Sequence, residues 1–247
     1  MNKLEFVYGY HAIKALLDTQ PHEITQLWLP VQRFDQKTQL LLELAQQRNI
    51  PVKRVTAQEI ADRIGEGALH QGMLALCRAF SRFDELALSH LLAERSEAKL
   101  LLILDGIQDP RNLGACIRSA NAFGVHAVIA PKDRAVGITP AVQKAASGAL
   151  AGTPFVSVTN LARTLRWLKQ QGIWIVGAVA DTDVILSQIH LEGDIALVLG
   201  GEGSGLRRLT RDLCDFLAAI PMQGSVGSLN VSVAAGICLY EVYRQRH

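Results

Sequence analysis

Three segments of this 247-residue chain combine glycine with polar side chains at spacings that suit ligand binding or group transfer. The first, LDGIQDPRNLGACIRSANAFG over residues 104–124, follows a continuous apolar run. Pro110 ends a loop, Asn112 is of a type that caps helices, and Arg111 and Arg118 share one helical face because they are seven residues apart. Two interpretations stay open: a capped, tightly packed helix with solvent-facing arginines, or a phosphate or ribose site at a helix entrance.

The second segment, IALVLGGEGSGLRRLTRDL over residues 195–213, runs from an apolar stretch into a glycine loop. Four of the six residues at 200–205 are glycine, which permits positive φ and lets a ligand touch the backbone. Glu202 is the ionisable side chain of this loop, and its simplest role is to accept hydrogen bonds from nearby backbone N–H groups. The glycine spacing matches neither GxGxxG nor GxxxxGK[ST], which argues against a dinucleotide fingerprint and a P-loop.

The third segment, IPMQGSVGSLNVSVAAGICLYEVYR over residues 220–244, places a flexible loop before the last helix. Ser228 or Asn230 could cap that helix. The helix is apolar nearly all round, so it is predicted to be buried or to pack against another chain. A nucleophile elbow does not fit, because GxSxG is out of register at Ser225.

The elements that must position these segments alternate between strand and helix, which predicts an α/β fold. Before residue 79, helices are predicted at 11–17, 37–48 and 58–64, and strands at 24–29, 52–55 and 72–77. Residues 79–99 are polar and patchy and are predicted to be a linker with one or two helical turns. A second α/β unit is predicted at 100–247, and it is expected to hold a parallel sheet. Its strands are predicted at 100–105, 126–130, 155–158, 173–178, 195–199 and 217–220. Its helices are predicted to start from residue 112 and to span 140–147, 161–170, 206–216 and 229–244.

Composition narrows the classes of function. The chain is 49% hydrophobic and 19% charged with a net charge of +2, so it can form a core but is not a basic polyelectrolyte. The four cysteines and seven histidines show no metal-ligand spacing, so we expect no metal site and reduced thiols within cores. No run approaches the roughly 20 apolar residues of a membrane span, and the acidic start is unlike a signal peptide. We therefore expect a cytoplasmic protein without a membrane partner.

The three segments together resemble the motifs of the SPOUT superfamily of RNA methyltransferases, and are most similar to those of the SpoU-type ribose 2′-O-methyltransferases. DPRNLGACIRSANAFGV is similar to the first motif, LVLGGEGSGL to the second and IPMQGSVGSLNVSVAAGICLYE to the third. The opening VYGYHAIKALL and the segment HQGMLALC resemble the family's small N-terminal RNA-binding domain, which is itself similar to certain ribosomal proteins.

The resemblance implies a domain organisation. Residues 1–78 would form the RNA-binding domain, and residues 100–247 a parallel-sheet methyltransferase domain whose C-terminal segment is threaded as a deep trefoil knot. The cofactor would be S-adenosylmethionine, and the protein a homodimer with sites completed across the interface. The nearest likeness implies methylation of a guanosine ribose in 23S rRNA, in the loop that holds the P-site tRNA end.

The resemblance also assigns roles to residues. Arg118 matches the arginine held to activate the 2′-OH, and Asn112 would orient Arg118 or the ribose. Glu202, Ser228 and Asn230 would shape the substrate site. Backbone groups at Gly200, Ile220 and Leu229 would contact the cofactor, and Leu199 and Met222 would help to line its adenine slot.

Two alternatives to an rRNA methyltransferase remain from the sequence. One keeps the reaction but takes tRNA as the substrate, and the other is a non-catalytic RNA-binding assembly factor. In the first domain the candidate phosphate contacts are basic residues that could equally serve only to keep the surface hydrated: Arg33, Lys37, Lys53, Arg54, Arg63 and Arg78.

Overall fold

The computed structural model of the protein describes residues 4–19, 21–31, 35–65, 70–78, 85–203 and 205–247. The chain divides into two compact units. The first comprises Met1–Arg82 with Ser147–Gly152, and the second comprises Phe83–Ala146 with Thr153–His247.

The first unit is a four-stranded mixed sheet with helices on both faces. Its elements are β1 (Leu4–Tyr8), α1 (Tyr10–Thr19), β2 (Ile24–Pro30), α2 (Gln36–Gln47), β3 (Val52–Val55), α3 (Ala57–Ile64) and β4 (Leu74–Arg78). The strand order is β1-β4-β2-β3, with β2 and β3 parallel and β4 antiparallel to both of its neighbours. Alternation along β2 separates the faces, because Leu27 and Leu29 join the cluster with α1 and α2 while Trp28 packs with Ile60 of α3.

The second unit is a six-stranded sheet in which every pairing is parallel. Its elements are α4 (Glu85–Ala93), β5 (Leu100–Asp105), α5 (Pro110–Ala122), β6 (Ala127–Pro131), α6 (Pro140–Ala146), β7 (Phe155–Val158), α7 (Leu161–Gln170), β8 (Trp174–Ala178), β9 (Ile195–Gly200), α8 (Arg208–Leu213), β10 (Phe216–Ala218) and α9 (Val231–Arg246). The strand order is β10-β8-β9-β5-β6-β7.

The central strands of this sheet are buried on both faces. All six residues of β5 are buried, the first five as the apolar run predicts and the sixth, Asp105, as a buried carboxylate. Leu88 of α4 and Leu165 of α7 pack into one core cluster with the sheet, whereas α5 packs against α6 and α9. The predicted α/β class with a parallel sheet is therefore confirmed.

Two elements differ from the expectation. Strand β1 was not predicted, and it pairs with β4 along its whole length. The expected linker at 79–99 contains a nine-residue helix, α4, whose Leu88 and Leu92 lie in the core of the second unit. Leu88 and Leu92 are one helical turn apart within this otherwise polar segment, so they form one apolar face of the helix, and that face is buried. The exact domain boundaries stay a prediction.

The start of α5 also differs. Asp109, not Asn112, is the N-cap, and its side chain accepts a 2.7 Å hydrogen bond from the Arg111 backbone N–H. Pro110 occupies the first helical turn, where its missing N–H costs nothing. Asn112 therefore lies inside the first turn, and its side chain is left for another contact.

The cysteines behave as the sequence predicts. Cys77, Cys116 and Cys238 are buried, Cys214 is half-buried, and all four are free thiols. Within the described ranges, no helix is both long and apolar enough to cross a membrane. Those same ranges hold no group of three His, Cys, Asp or Glu side chains that could bind a metal ion.

Candidate active site

The candidate site lies where the chain changes direction across the second sheet. From β5 the chain continues to β6 and β7 on one side, while β9, β8 and β10 lie on the other. In open parallel sheets, ligands bind beyond the carboxyl ends of the strands at such a reversal. The loops after β5, β8 and β9 therefore meet at the edge of the sheet where a ligand is expected.

The glycine loop after β9 is anchored to the end of β5. The Gly201 N–H donates to the Asp105 carbonyl at 3.0 Å, and the Arg207 N–H donates to the Asp105 carboxylate at 3.1 Å. Arg207 Nε also forms an ion pair with Asp105 Oδ1 at 3.2 Å. The Asp105 side chain is fully buried, so both ends of the loop are tied to one interior carboxylate-bearing residue.

Gly200 is required by the close approach of the loop to itself. A Cβ at this position would overlap the backbone of Gly205 and Leu206. Gly201 and Gly205 form an isolated antiparallel bridge, with a 3.0 Å hydrogen bond from Gly205 N–H to the Gly201 carbonyl. The glycines of this loop therefore allow its backbone to turn back and pack closely against itself.

Three side chains predicted for the site meet in one polar cluster. Asn112 Nδ2 donates to Glu202 Oε1 at 2.5 Å, and Asn230 Nδ2 donates to the same oxygen at 2.8 Å. Asn230 Nδ2 also lies 3.1 Å from Asn112 Oδ1. Among the described residues, Glu202 thus accepts hydrogen bonds from the side-chain amides of Asn112 and Asn230.

Asn230 has a second role as the N-cap of α9, one of the two caps that the sequence predicts. Its Oδ1 accepts from the Ser232 backbone N–H at 2.9 Å and from Ser232 Oγ at 2.6 Å. The amide oxygen of Asn230 caps α9 and its amide nitrogen donates to Glu202. The side chain therefore links the first residue of α9 to the glycine loop.

A cavity of about 670 Å³ opens beside this cluster. Its size falls within the range of small-molecule and cofactor sites. Eight of the ten predicted site residues line it: Leu199, Gly200, Glu202, Ile220, Met222, Ser228, Leu229 and Asn230. Asn112 reaches the cavity through its hydrogen bonds to Glu202 and Asn230.

Arg118 is the predicted site residue that does not join the others. Its side chain is exposed on α5, and among the described residues it makes no hydrogen bond or ion pair. Its neighbour Ser119 faces Gly236 of α9, where an added Cβ would lie 3.8 Å from Ser119 Oγ. Arg118 is thus an exposed residue of a helix that packs against α9, and it lies outside the lining of the cavity of its own chain.

The sequence model of the SpoU rRNA Methylase family matches residues 99–240, more than half of the chain. The chain belongs to the SpoU rRNA methylase family. A second family model, described as RNA 2′-O ribose methyltransferase substrate binding, matches residues 6–83. Together the two matches cover the polar cluster, the cavity and almost all of the first unit, and they confirm the resemblance drawn from the three motifs.

Full-length relatives of this SpoU chain are similar throughout. It is 54% identical over 246 residues to the 23S rRNA (guanosine-2′-O-)-methyltransferase RlmB of Coxiella burnetii, covering 100% of this chain and 98% of that protein. It is 50% identical, with the same coverage, to the protein of that name from Pseudomonas aeruginosa.

Among solved structures, the SpoU methyltransferase AviRb from Streptomyces viridochromogenes, in complex with the cofactor AdoMet, matches with a TM-score of 0.81. The match covers 98% of this chain and 90% of that one at 24% identity, so it shows the fold alone. A TrmH/SpoU tRNA modifying enzyme of A. aeolicus matches 66% of this chain and 83% of its own, with a TM-score of 0.56 and 28% identity.

One charged pair on the cavity wall of this SpoU chain was missed by the sequence analysis. Arg211 Nη1 donates to both carboxylate oxygens of Asp181, at 2.8 and 3.0 Å, and both residues line the cavity. The hydrogen bond from Arg211 holds the pKa of the Asp181 carboxyl below its usual range. The available signal was positional, because Asp181 follows a strand predicted to end at residue 178 on the ligand-binding edge of the sheet.

The thiol of Cys116, which feels the charge of Glu202, is unsuited to covalent catalysis. Burial, and to a smaller extent the charge of Glu202, raises the pKa of Cys116 to about 12. The thiolate is the nucleophilic form of cysteine. At neutral pH Cys116 therefore stays protonated and serves as a packing residue of α5.

Four of the six basic residues predicted to contact RNA have side chains that the structure describes, and each of them contacts a neighbouring residue of the first unit. Lys53 Nζ lies 4.6 Å from the centre of the Trp28 ring, and the Arg63 guanidinium lies 5.8 Å from it. Lys37 Nζ lies 5.3 Å from the Tyr10 ring. Arg54 Nη1 donates to the Pro30 carbonyl at 3.1 Å. Arg33 and the side chain of Arg78 fall outside the described residues.

The polar cluster predicts a pH-dependent stability defect for Asn230→Asp. The new carboxylate can still cap α9 but places a negative oxygen against Glu202, so the pKa of the carboxyl pair should rise. Because a raised folded-state pKa costs stability above that pKa, we expect a loss of about 1–2 kcal/mol at pH 8 that shrinks as the pH falls toward 5. Chemical unfolding across this range would measure it.

Asn230→Ser is the matched control, since serine caps helices without adding charge. Its stability deficit relative to the wild type should stay nearly constant between pH 5 and 8. Equal pH profiles for the two variants would contradict the electrostatic account of the cluster.

Proposed function

We propose that this chain transfers a methyl group from S-adenosylmethionine to the ribose 2′-OH of one guanosine in 23S rRNA, in the loop that contacts the P-site tRNA end. The observation that carries the proposal is the set of relatives named 23S rRNA (guanosine-2′-O-)-methyltransferase, which are 46–54% identical over 98–100% of this chain. Solved structures named for tRNA modification cover only 60–66% of it, which favours rRNA over tRNA.

The cavity has the character that S-adenosylmethionine needs. Leu199, Ile220 and Met222 provide apolar walls for an adenine ring, and Gly200, Ile220 and Leu229, whose backbone groups we assign to hydrogen-bond it, line the same cavity. The absence of a side chain at Gly200 lets the backbone of Gly205 and Leu206 close against it, and all three residues line the cavity. When bound, this cofactor supplies a methyl group on a positively charged sulfur, so that the protein need only position and deprotonate the acceptor hydroxyl.

The protein's own contribution to the reaction is to align the 2′-oxygen and remove its proton. We assign Asn112, Glu202, Ser228 and Asn230 to shaping the substrate side of the cavity, because three of them form one hydrogen-bonded cluster and Ser228 lines the same wall. Arg118 would act on the ribose or its phosphate. A guanidinium keeps its proton at neutral pH, so it would either assist proton removal by a nearby phosphate or stabilise the developing alkoxide.

A homodimer is proposed from the surface of α9. One face of the helix is buried against its own unit, through residues such as Ala235, Leu239 and Val242. The other face exposes a large apolar stripe made of Val233, Ile237, Tyr240 and Tyr243. Exposed apolar patches of this kind mark interaction sites. Because Arg118 lies on α5 beside α9 and outside its own cavity, a dimer through this stripe would let it serve the partner's site.

The proposed fold of the C-terminal segment is a deep trefoil knot. Its support is the chain's membership of the SpoU family, whose resemblance implies this threading of the C-terminal segment. The domain limits proposed are 1–78 for RNA binding, 79–99 for the connection and 100–247 for catalysis. Because the proposed substrate is ribosomal RNA, the proposed location is the cytoplasm.

The function is tested by methyl transfer to unmodified 23S rRNA. Purified protein and labelled S-adenosylmethionine should modify a single guanosine, mapped by the resistance of the 2′-O-methylated linkage to alkali. Bulk tRNA is the parallel substrate. Incorporation into tRNA alone would refute the rRNA proposal, and failure to bind the cofactor would leave only a non-catalytic RNA-binding role.

Arg118→Ala should slow methyl transfer by roughly 10²–10³-fold, the usual cost of losing one charge-stabilising donor in an active site. Cofactor affinity, measured by calorimetry, should change little because Arg118 does not line the cavity. Arg111→Ala removes a second exposed arginine from the same helical face and should have a far smaller effect. A loss of cofactor binding in Arg118→Ala would instead make this residue structural.

Ile237→Asp should convert the dimer to a monomer, because it places a charge in the middle of the apolar stripe of α9. Light scattering after size-exclusion chromatography would measure the mass. Val184→Asp changes a comparably exposed apolar residue away from α9 and should leave the mass unchanged. A wild-type protein that is monomeric, or a dimer that survives Ile237→Asp, would contradict this interface.

A further inference from the structure

The Asp181–Arg211 pair sits on the cavity wall without a role in the polar cluster. Three ionisable side chains line the described cavity, namely Asp181, Glu202 and Arg211. Glu202 is engaged by two asparagine amides on the side of the cavity that faces the end of β5. Asp181 follows β8, on the opposite side of β9 from β5, so the two carboxylates belong to different ends of the cavity.

The geometry of the pair leaves the Asp181 carboxylate able to accept more hydrogen bonds. Each oxygen of an ionised carboxylate can accept two, and Arg211 reaches both oxygens with the single nitrogen Nη1. The Asp181 side chain is 72% exposed, so a ligand in the cavity can approach it. Arg211 is held in α8, which gives the carboxylate a defined orientation.

The chemistry of the pair favours a neutral donor with two hydroxyls. A vicinal diol can donate to both carboxylate oxygens while the ion pair stays intact. A ligand ammonium would instead place a second positive charge beside the Arg211 guanidinium, which a diol does not. The apolar wall formed by Leu199, Ile220 and Met222 lies in the same cavity and suits a planar base, which in a nucleoside is bonded directly to the sugar that carries such a diol.

We propose that Asp181 accepts hydrogen bonds from the 2′- and 3′-hydroxyls of the ribose of S-adenosylmethionine, and that Arg211 is the positioning residue that holds Asp181 for this contact. The inference rests on the proposed function, because it takes this cofactor as the occupant of the cavity. It adds a sugar-recognition site that is distinct from the backbone contacts assigned to the adenine. It also makes this end of the cavity, and not the Glu202 end, the part that discriminates a ribonucleoside.

The test is calorimetric binding of two probes, 5′-methylthioadenosine and its 2′,3′-dideoxy counterpart, to the full-length protein. The wild type should prefer the diol by about tenfold to a hundredfold, the range for hydrogen bonds to a charged acceptor. Asp181→Ala should abolish that preference by weakening the diol probe alone. Asp181→Asn, which keeps the shape and one acceptor oxygen, should retain a reduced preference, and thermal unfolding would confirm that both variants are folded.

Arg211→Ala should reduce the preference for the diol, whereas Arg208→Ala should not. Arg208 is the matched control because it lies on the same helix, is 97% exposed and does not line the cavity. An Asp181→Ala variant that keeps the wild-type preference would overturn the inference. So would a loss seen with S-adenosylmethionine but not with 5′-methylthioadenosine, since the pair would then serve the amino-acid end. A wild type that binds neither S-adenosylmethionine nor 5′-methylthioadenosine would overturn the proposed function itself.

Discussion

The site depends on one steric constraint, the closure of the glycine loop onto the end of β5. The absence of a Cβ at Gly200 lets the backbone of Gly205 and Leu206 come into contact with it. Asp105 then holds the loop at Gly201 and Arg207. With Gly201 and Arg207 both bonded to Asp105, Glu202 lies within hydrogen-bonding distance of Asn112 and Asn230. The polar cluster therefore depends on the backbone contacts that position the glycine loop.

The sheet of the second unit could be predicted because burial and periodicity point to the same answer there. The run 100–104 is apolar at every position, which fits a strand covered on both faces, and it forms β5 together with Asp105. The elements that were missed are those whose stability comes from partners distant in sequence. Strand β1 depends on pairing with β4, some seventy residues later, and α4 depends on a core built mostly from β5 onward.

The site could be predicted as a set of residues but not as an arrangement. Asn112 has the propensity of a helix cap, and only the presence of Asp109 as the cap releases its amide to bind Glu202. Glu202 and Asn230 are 28 residues apart, and no local pattern indicates that they share a hydrogen bond. The ion pair of Asp181 and Arg211 could not be predicted for the same reason, because its partners are 30 residues apart and neither belongs to one of the three family motifs.

The charge balance of the chain constrains how it could recognise a polyanion. A net charge of +2 provides little long-range attraction, so affinity for RNA must come from few, well-placed cations. In the first unit Lys53 and Arg63 both lie over the ring of Trp28, which is 5% exposed. A buried ring cannot stack on a base, but it can hold two cations at one place on the surface through their stems and charges. Lys53 also forms an ion pair with Glu59 at 3.5 Å, so a phosphate bound here would share that cation with a carboxylate. Under the proposed function, the choice of nucleotide would then come from the shape of the folded RNA and from the cavity.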